Sequence, residues 1–587
     1  MSDTNKLIDD VLKKKTWRLK DNSNTQMSPS LLDLYISSRA TEEYALKNFY
    51  SKDVVKAHNE GLIYIHTLHG AFKPYCNGID TRIVLLDGLR FPHCNSAPAK
   101  HFSSAVFQTM AFMFYSQLFF SGAQAMDYYN WFMAPYLKHE KLEYREVKQV
   151  IQGFVFQLNQ SNRTGAQSAF TNIGLRIDCP SYLENEPVVF AGSHLKETYK
   201  DFKQEARTIY KAFMEVMGEG DGTGAPFTFP IITTAITREL DFDDPLFDTT
   251  VDTAVKTGAP YFFNLTTDYL DEKYVHAMCC RLLVEHSGGV WMAGGLGTGS
   301  NKVVTVNMPH VALISKGEKS LYRNLDKAMQ IARQALKESN DIIAMSLNKW
   351  NILPFLKMRT KNGAPYYNFK ERRLTIGAIG LNECLLNLIG KDIISGEGQN
   401  LGLKIIEHMA ANIAAYSKKD KVKYTLEQTP AESATHKLAM LDRKNFGARA
   451  HVQGKGGQLY YSNSTHVPYK ADVSLPDKIN IEAQFHPFFN GGVISHVWIG
   501  ESIPEHFSMK NLIKKMASTQ MAYFTFSPDF SVCSNNHVIR GKIKKCPKCG
   551  ADIVDYINRI VGYFTRTSNW NPGKRREYED RKRFAIK

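Results

Sequence analysis

The 587-residue sequence holds only nine cysteines and no uninterrupted apolar run of membrane-spanning length. So few thiols cannot staple a chain of this size, which excludes a disulfide scaffold. Their clustering reads instead as metal and redox chemistry in a reducing compartment, the cytoplasm by default. No basic n-region with an apolar h-region opens the chain, so no secretory signal is expected. The most apolar segment, 102–120, is broken by Gln108, Ser116 and Gln117 and predicts a buried helix rather than a membrane span. Internal repeats and low-complexity linkers are also lacking, which sets aside solenoids and propellers.

What is there is ordinary globular composition, 22% charged and 43% hydrophobic, with a formal charge of +15. That charge suits phosphate-bearing partners without choosing between nucleotides and nucleic acid. Short β-rich runs at 303–306 and 493–499 read as buried strands. Leu321, Leu325, Ala328, Ala332 and Leu336 recur at spacings of three and four, the pattern of a helix against a core. Strands alternating with helices over several hundred residues predict an α/β architecture. At about Asp529 the character changes to a Cys/His cluster, a glycine loop and a basic tail at 574–587, and a boundary is placed there.

Several constellations carry chemistry. Cys533, His537, Cys546 and Cys549 form two short chelating pairs around a small knuckle, the requirement of a tetrahedral zinc. Four protein ligands leave no open position for water, so the site is structural. Met278-Cys279-Cys280-Arg281 places two cysteines side by side, where a mutual disulfide would be strained; free cysteines are usually small buried hydrophobes. Downstream, Gly294-Gly295-Leu296-Gly297-Thr298-Gly299 either aims backbone N–H groups at phosphate or is a connector. Cys76, in Tyr75-Cys76-Asn77-Gly78, is a weak signal alone. The last signal is Arg559-Ile560-Val561-Gly562-Tyr563-Phe564. Alone, Gly562 would be a turn glycine. A glycine α-carbon has no side chain, however, so on losing hydrogen it can flatten and share an unpaired electron with the flanking amides.

Together these motifs resemble the anaerobic (class III) ribonucleotide reductases, glycyl-radical enzymes that make deoxyribonucleotides. The resemblance runs in order along nearly the whole chain. It takes in Trp17-Arg18-Leu19-Lys20-Asp21-Asn22, Ser121-Gly122-Ala123-Gln124, Arg163-Thr164-Gly165-Ala166-Gln167, and the Met-Cys-Cys-Arg and Val304-Thr305-Val306-Asn307 motifs. Gly380-Leu381-Asn382-Glu383, Thr429-Pro430-Ala431-Glu432-Ser433, the zinc knuckle and the Gly562 segment complete it. It implies a ten-stranded α/β barrel with a C-terminal zinc knuckle and radical loop. The stored radical would be on Gly562, the transient thiyl radical on Cys280, the second active-site thiol on Cys76, and a ribose contact on Asn307. It further implies a separate radical-SAM activase carrying S-adenosylmethionine and an iron-sulfur cluster, ribonucleoside triphosphate substrates, nucleotide effectors and a homodimer. The implied reductant is formate, with a thioredoxin- or glutaredoxin-type donor as the rival that the extra Cys279 keeps open.

The expected organisation is a catalytic barrel at 1–528, a zinc knuckle at 529–552, and a radical loop with basic tail at 553–587. The core motif begins by Trp17, so no N-terminal ATP-cone is expected. Thr67 stands where the family commonly has Asp, so no role is placed on His66. His537 replaces a frequent cysteine, still giving a good zinc shell. Met308 and His310 differ from the commoner Leu and Arg. Two alternatives are carried: another glycyl-radical enzyme (an acyltransferase or dehydratase), and a basic zinc-ribbon protein binding nucleic acid.

Overall fold

The computed structural model describes residues 4–14, 16–278, 282–285, 298–500 and 503–586, with the side chains of 278 and 282–285 left aside. Five parallel strands form one half of a barrel: β1 (Asn77–Ile79), β2 (Gln124–Met126), β3 (Thr171–Leu175), β4 (Ile231–Ile236) and β5 (Pro260–Asn264). The other half is β6 (Ser300–Asn307), β7 (Arg373–Ile379) and β8 (Tyr424–Gln428), then β9 (Ser495–Ile499) and β10 (Tyr523–Pro528). A parallel bridge from Glu427 to Gly492 joins β8 to the chain entering β9.

The two halves meet head to tail. β5 pairs antiparallel with β10, Phe262 opposite Phe524. At the other seam Gly78 bridges Thr298 antiparallel, and Ile63–Ile65 pairs antiparallel with Val304–Val306. The described strands thus close into the ten-stranded α/β barrel that the resemblance implied. Every residue of β3 to β10 is buried, polar ones such as Lys302 and Glu427 included, because parallel strands are covered on both faces.

Helices supply that cover. The 31-residue helix Glu318–Asn348, about 46 Å long, carries the chain from β6 to β7. It buries Leu321, Leu325, Ala328, Ala332 and Leu336, the stripe read from the sequence. The 102–120 segment is helical over Phe102–Ser116 and buries Phe102, Val106, Phe112 and Met113. Among the described residues no helix is long and apolar enough to cross a membrane.

One residue, Asp529, separates β10 from a four-stranded antiparallel sheet. Its strands are β11 (Phe530–Cys533), β12 (Val538–Arg540), β13 (Ile553–Arg559) and β14 (Phe564–Arg566), in the order β12-β11-β13-β14. The basic tail beyond it is folded against the body. Helix Pro572–Asp580 buries Lys574 and Glu577 completely as an ion pair, and Glu577 also takes Arg581 at 2.8 Å.

The buried stripe of Glu318–Asn348 sets an expected stability effect. Leu336→Ala should cost about 2–5 kcal/mol through the cavity it leaves, whereas Lys337→Ala on the exposed face should change stability by about 0.5 kcal/mol or less. Thermal unfolding of both variants checks this; equal midpoints would overturn the assignment of faces.

Candidate active site and metal centre

A cavity of about 520 Å³ opens beside the barrel, and segments far apart in the chain meet on its wall. Trp17, Arg18, Asp21 and Asn22 come from the N-terminal motif, Ser121 and Gly122 from the turn before β2, and Arg163 and Gln167 from the turn before β3. Thr429 to Ser433 follow β8, and Tyr563 comes from the C-terminal sheet. Five of the segments that carried the family resemblance therefore share one surface.

Burial sets the electrostatics of this wall. His66 is pulled down to about 3 by desolvation, so it is neutral; its Nε2 lies 2.8 Å from Thr305 Oγ1, which lies 2.7 Å from Thr429 Oγ1. Burial lowers His69 to about 4, with Lys302 and Arg163 adding to the effect. Asp21 is pushed up to about 6 by burial, against the opposing pull of Arg39. Lys73 and Arg163 line the cavity, and burial lowers the pKa of both.

Gly562 occupies the tip of the hairpin between β13 and β14. Arg559 faces Phe564 across the ladder, and the Ile560 N–H donates to the Tyr563 carbonyl at 3.2 Å, closing a four-residue loop. Hairpin tips normally face solvent, but Ile560, Val561, Gly562 and Tyr563 are all buried. The Tyr261 hydroxyl donates to the Gly562 carbonyl. Tyr563 sits with its ring 5.4 Å from both Phe170 and Phe229, and its hydroxyl reaches Asn22 and Glu432. Gly562 is thus separated from the cavity by its own neighbour.

Cys76 is buried at the entry to β1, packed on Ala123, Ala125 and Phe170, its N–H donating to the Ser300 carbonyl at 3.2 Å. Phe170 therefore touches both the Cys76 cluster and Tyr563. Cys279 and Cys280 lie outside the described residues. The strands on either side, Val275–Met278 and Leu282–Glu285, pair antiparallel with Met278 opposite Leu282.

Asn307 is not brought to the cavity wall. It ends β6, and its amide donates to the Gly61 carbonyl and to Asp442 Oδ2, both at 2.8 Å. Asp442, on the helix Ala434–Phe446, also binds His310 Nδ1 at 2.6 Å and the Tyr461 hydroxyl at 2.8 Å. The partnership spans 135 residues, so no local pattern announces it. Sequence reasoning also missed two buried arginines. Arg559 donates to the carbonyls of Phe526, Gly258 and Ala259, and Arg372 spans the Cys76 and Thr298 carbonyls. The fixed spacing of Arg559 from Gly562 was a usable signal; nothing in Glu371-Arg372-Arg373 distinguished Arg372.

Cys533, His537, Cys546 and Cys549 converge, with all four ligand atoms within 4.8 Å of one another. Cys533 Sγ lies 3.8 Å from Cys549 Sγ, and Cys546 Sγ lies 3.6 Å from His537 Nδ1. A tetrahedron with Zn–S near 2.3 Å and Zn–N near 2.05 Å has edges of about 3.8 and 3.6 Å. The donor set and its spacing fit zinc. Gly550, in the left-handed region at φ 73°, turns the second pair, and its N–H donates to the Cys546 carbonyl at 2.8 Å. Cys533 pairs with Ile553 across the sheet, so the cluster sits at the base of β13, roughly 20 Å of strand from the Gly562 loop.

The family model for anaerobic ribonucleoside-triphosphate reductase matches residues 21–584. The chain is 24% identical over 603 residues to the anaerobic ribonucleoside-triphosphate reductase of Haemophilus influenzae, covering 95% of this chain and 82% of that one. Its fold is similar to that of the anaerobic ribonucleotide reductase from Thermotoga maritima in complex with dATP and CTP, with a TM-score of 0.76, 24% identity and 98% of each chain covered. Hydroxyproline dehydratase from Clostridioides difficile shares the fold more distantly, with a TM-score of 0.59, 10% identity, and 97% and 89% of the chains covered. With the match extending over nearly every residue and the motif segments gathered on one cavity, the chain belongs to the anaerobic ribonucleoside-triphosphate reductases, oxidoreductases that convert ribonucleoside triphosphates to their 2′-deoxy forms.

Proposed function

We propose that this chain runs the reduction by storing an unpaired electron on Gly562 and relaying it through Cys280 to the ribose. The observation that carries this reading is the buried hairpin tip, which shields the Gly562 α-carbon from solvent while Tyr563 joins the cavity wall. A carbon radical survives only where water and oxygen are kept out.

In this reading the Gly562 radical takes hydrogen from the Cys280 thiol, and the resulting thiyl takes the 3′-hydrogen. The 3′-radical eases departure of the 2′-hydroxyl, which leaves with a proton as water. Formate supplies two electrons and becomes carbon dioxide, so ribonucleotide, formate and one proton give deoxyribonucleotide, carbon dioxide and water. Cys280 then returns hydrogen to the 3′ carbon and takes one back from Gly562, which becomes the stored radical again. Cys76 is the second thiol, and a thioredoxin- or glutaredoxin-type donor is the alternative source of electrons. Lys73 and Arg163 form no ion pair among the described residues, and a triphosphate supplies the counter-charge that buried cations require. Asn307 supports this surface from behind, through Asp442 and the helix after Ser433.

Cys533, His537, Cys546 and Cys549 would hold a structural zinc that braces the sheet carrying Gly562. A separate radical-SAM activase with an iron-sulfur cluster would generate the radical, and nucleotide effectors acting on a homodimer would set substrate choice. The cytoplasm is the compartment this chemistry suits. In domain terms the barrel at 1–528 does the chemistry, and 529–552 and 553–587 carry metal and radical.

Two outcomes are expected. After anaerobic activation with S-adenosylmethionine, EPR should show a glycine-type doublet in the wild type and none in Gly562→Ala; a doublet persisting in the variant would sink the assignment. Cys546→Ser should lower bound zinc from about one per chain to a small fraction, because one missing ligand opens the shell. Metal analysis reads this directly, and full zinc retention would remove Cys546 from the site.

A further inference from the structure

At the seam between β1 and β6, two backbones that bear on the chemistry come together. One carries Cys76; the other, Thr298 to Asn301, leads into β6. Their separation is too small for any side chain. A Cβ on Gly299, at φ 127°, would lie 2.3 Å from the Cys76 carbonyl oxygen and 3.2 Å from Arg372 Nη2.

Arg372, immediately before β7, fills this junction. Its Nε donates to Asn301 Oδ1 at 3.1 Å; Nη1 donates to the Thr298 carbonyl at 2.5 Å and Asn77 Oδ1 at 3.3 Å. Nη2 donates to the Ser300 carbonyl at 3.1 Å and to the Cys76 carbonyl. A guanidinium has five N–H groups in a fixed fork, and among the described residues five acceptors on two chain segments lie against it. The group is 1% exposed and lies against the rings of Tyr367 and Phe120, 4.9 and 5.3 Å away. Burial pulls its pKa down to about 10, so it stays charged at neutral pH. Taking a cation out of water onto neutral acceptors is costly.

We propose that Arg372 is a positioning residue for the radical relay, holding the Cys76 backbone and the Thr298–Asn301 segment in one fixed relation without touching substrate. The inference rests on the reading of Cys76 and Cys280 as the reacting thiols. Transfer between sulfur and carbon requires near-contact geometry, and a misplacement of about 1 Å costs on the order of 100-fold in rate. A lysine has three rotatable donors and no planar fork, so it cannot serve all five acceptors in one fixed geometry.

The test uses the full chain carrying Arg372→Lys, activated anaerobically. The Gly562 doublet should keep wild-type intensity and KM for the nucleotide should stay within about twofold, while kcat falls by roughly 10- to 100-fold. Asn77→Ala, which removes one acceptor and leaves the arginine in place, should give the same pattern with a loss of about threefold. A folded Arg372→Lys enzyme with wild-type kcat overturns the proposal. So does a parallel loss of doublet, kcat and unfolding temperature, which marks a purely structural bolt. Should Arg372→Lys fail to fold, wild-type kcat in Asn77→Ala overturns it. Cys76→Ser and Cys280→Ser report separately on the underlying reading: full turnover in either removes that thiol from the chemistry, whatever the Arg372 variants do.

Discussion

The barrel depends on how its two antiparallel seams are closed. Within each half, parallel strands satisfy one another in long ladders, seven register pairs between β6 and β7. At the seams the overlap is brief: three register pairs between β5 and β10, and a single bridge at Gly78 and Thr298 with Ile63–Ile65 alongside. So short an overlap supplies few ladder donors: Gly78 N–H reaches the Thr298 carbonyl and Cys76 N–H the Ser300 carbonyl, and each further lone pair needs a side-chain donor. A buried guanidinium answers at both places. Arg372 serves the Cys76, Thr298 and Ser300 carbonyls at one seam, and Arg559 serves those of Gly258, Ala259 and Phe526 at the other. The second arginine also begins the Gly562 loop, so closing the barrel and placing the hairpin are one event.

The hairpin is then fixed from three sides. The Cys/His cluster holds the base of β13, Tyr261 and Tyr563 hold the tip, and Arg581 reaches across from the C-terminal helix. Arg581 donates to the Arg559 and Ile560 carbonyls at 2.9 and 3.0 Å and lies 3.7 Å from the centre of the Trp498 ring. Its charge is balanced by Glu577, which also binds Lys574, and all three are nearly or fully buried. Removing one member of such a triad strands a charge in the interior, which is far costlier than the net worth of the pairs. The last residues of the chain therefore belong to the site, although their composition resembles a solvated basic tail.

The parts of this architecture legible in the sequence were those written locally. The stripe from Leu321 to Leu336, the buried runs around Val304 and Val497, and the Cys533–Cys549 spacing each depend on neighbours in the chain, and each appears where its pattern placed it. The cavity was legible only through resemblance, because Asn22, Arg163, Glu432 and Tyr563 share no periodicity. Asn307 shows the limit most clearly. A family motif marked it for the ribose, and no local pattern announces that its Nδ2 donates to Gly61 and to an aspartate 135 residues away. Arg372 gave no sign at all, since its acceptors are mostly backbone carbonyls, and any sequence has those.

The charge of the chain has the same lesson. A formal +15 first suggested phosphate partners of either kind, and nucleic acid would require a basic stripe on the outside. Here several cations face inward. Arg372 and Arg559 are held on neutral acceptors, and Lys302 donates to the Gly70 carbonyl at 2.6 Å, with burial pulling it down to about 7. Lys73 and Arg163 border the cavity. Within a low-dielectric interior, positive charge acts on a bound anion much more strongly than it would in water. A small, highly charged ligand that enters the cavity meets Lys73 and Arg163 directly, whereas a polymer on the surface does not. The interior placement thus favours a nucleoside triphosphate over a nucleic acid and makes the barrel itself the source of the attraction.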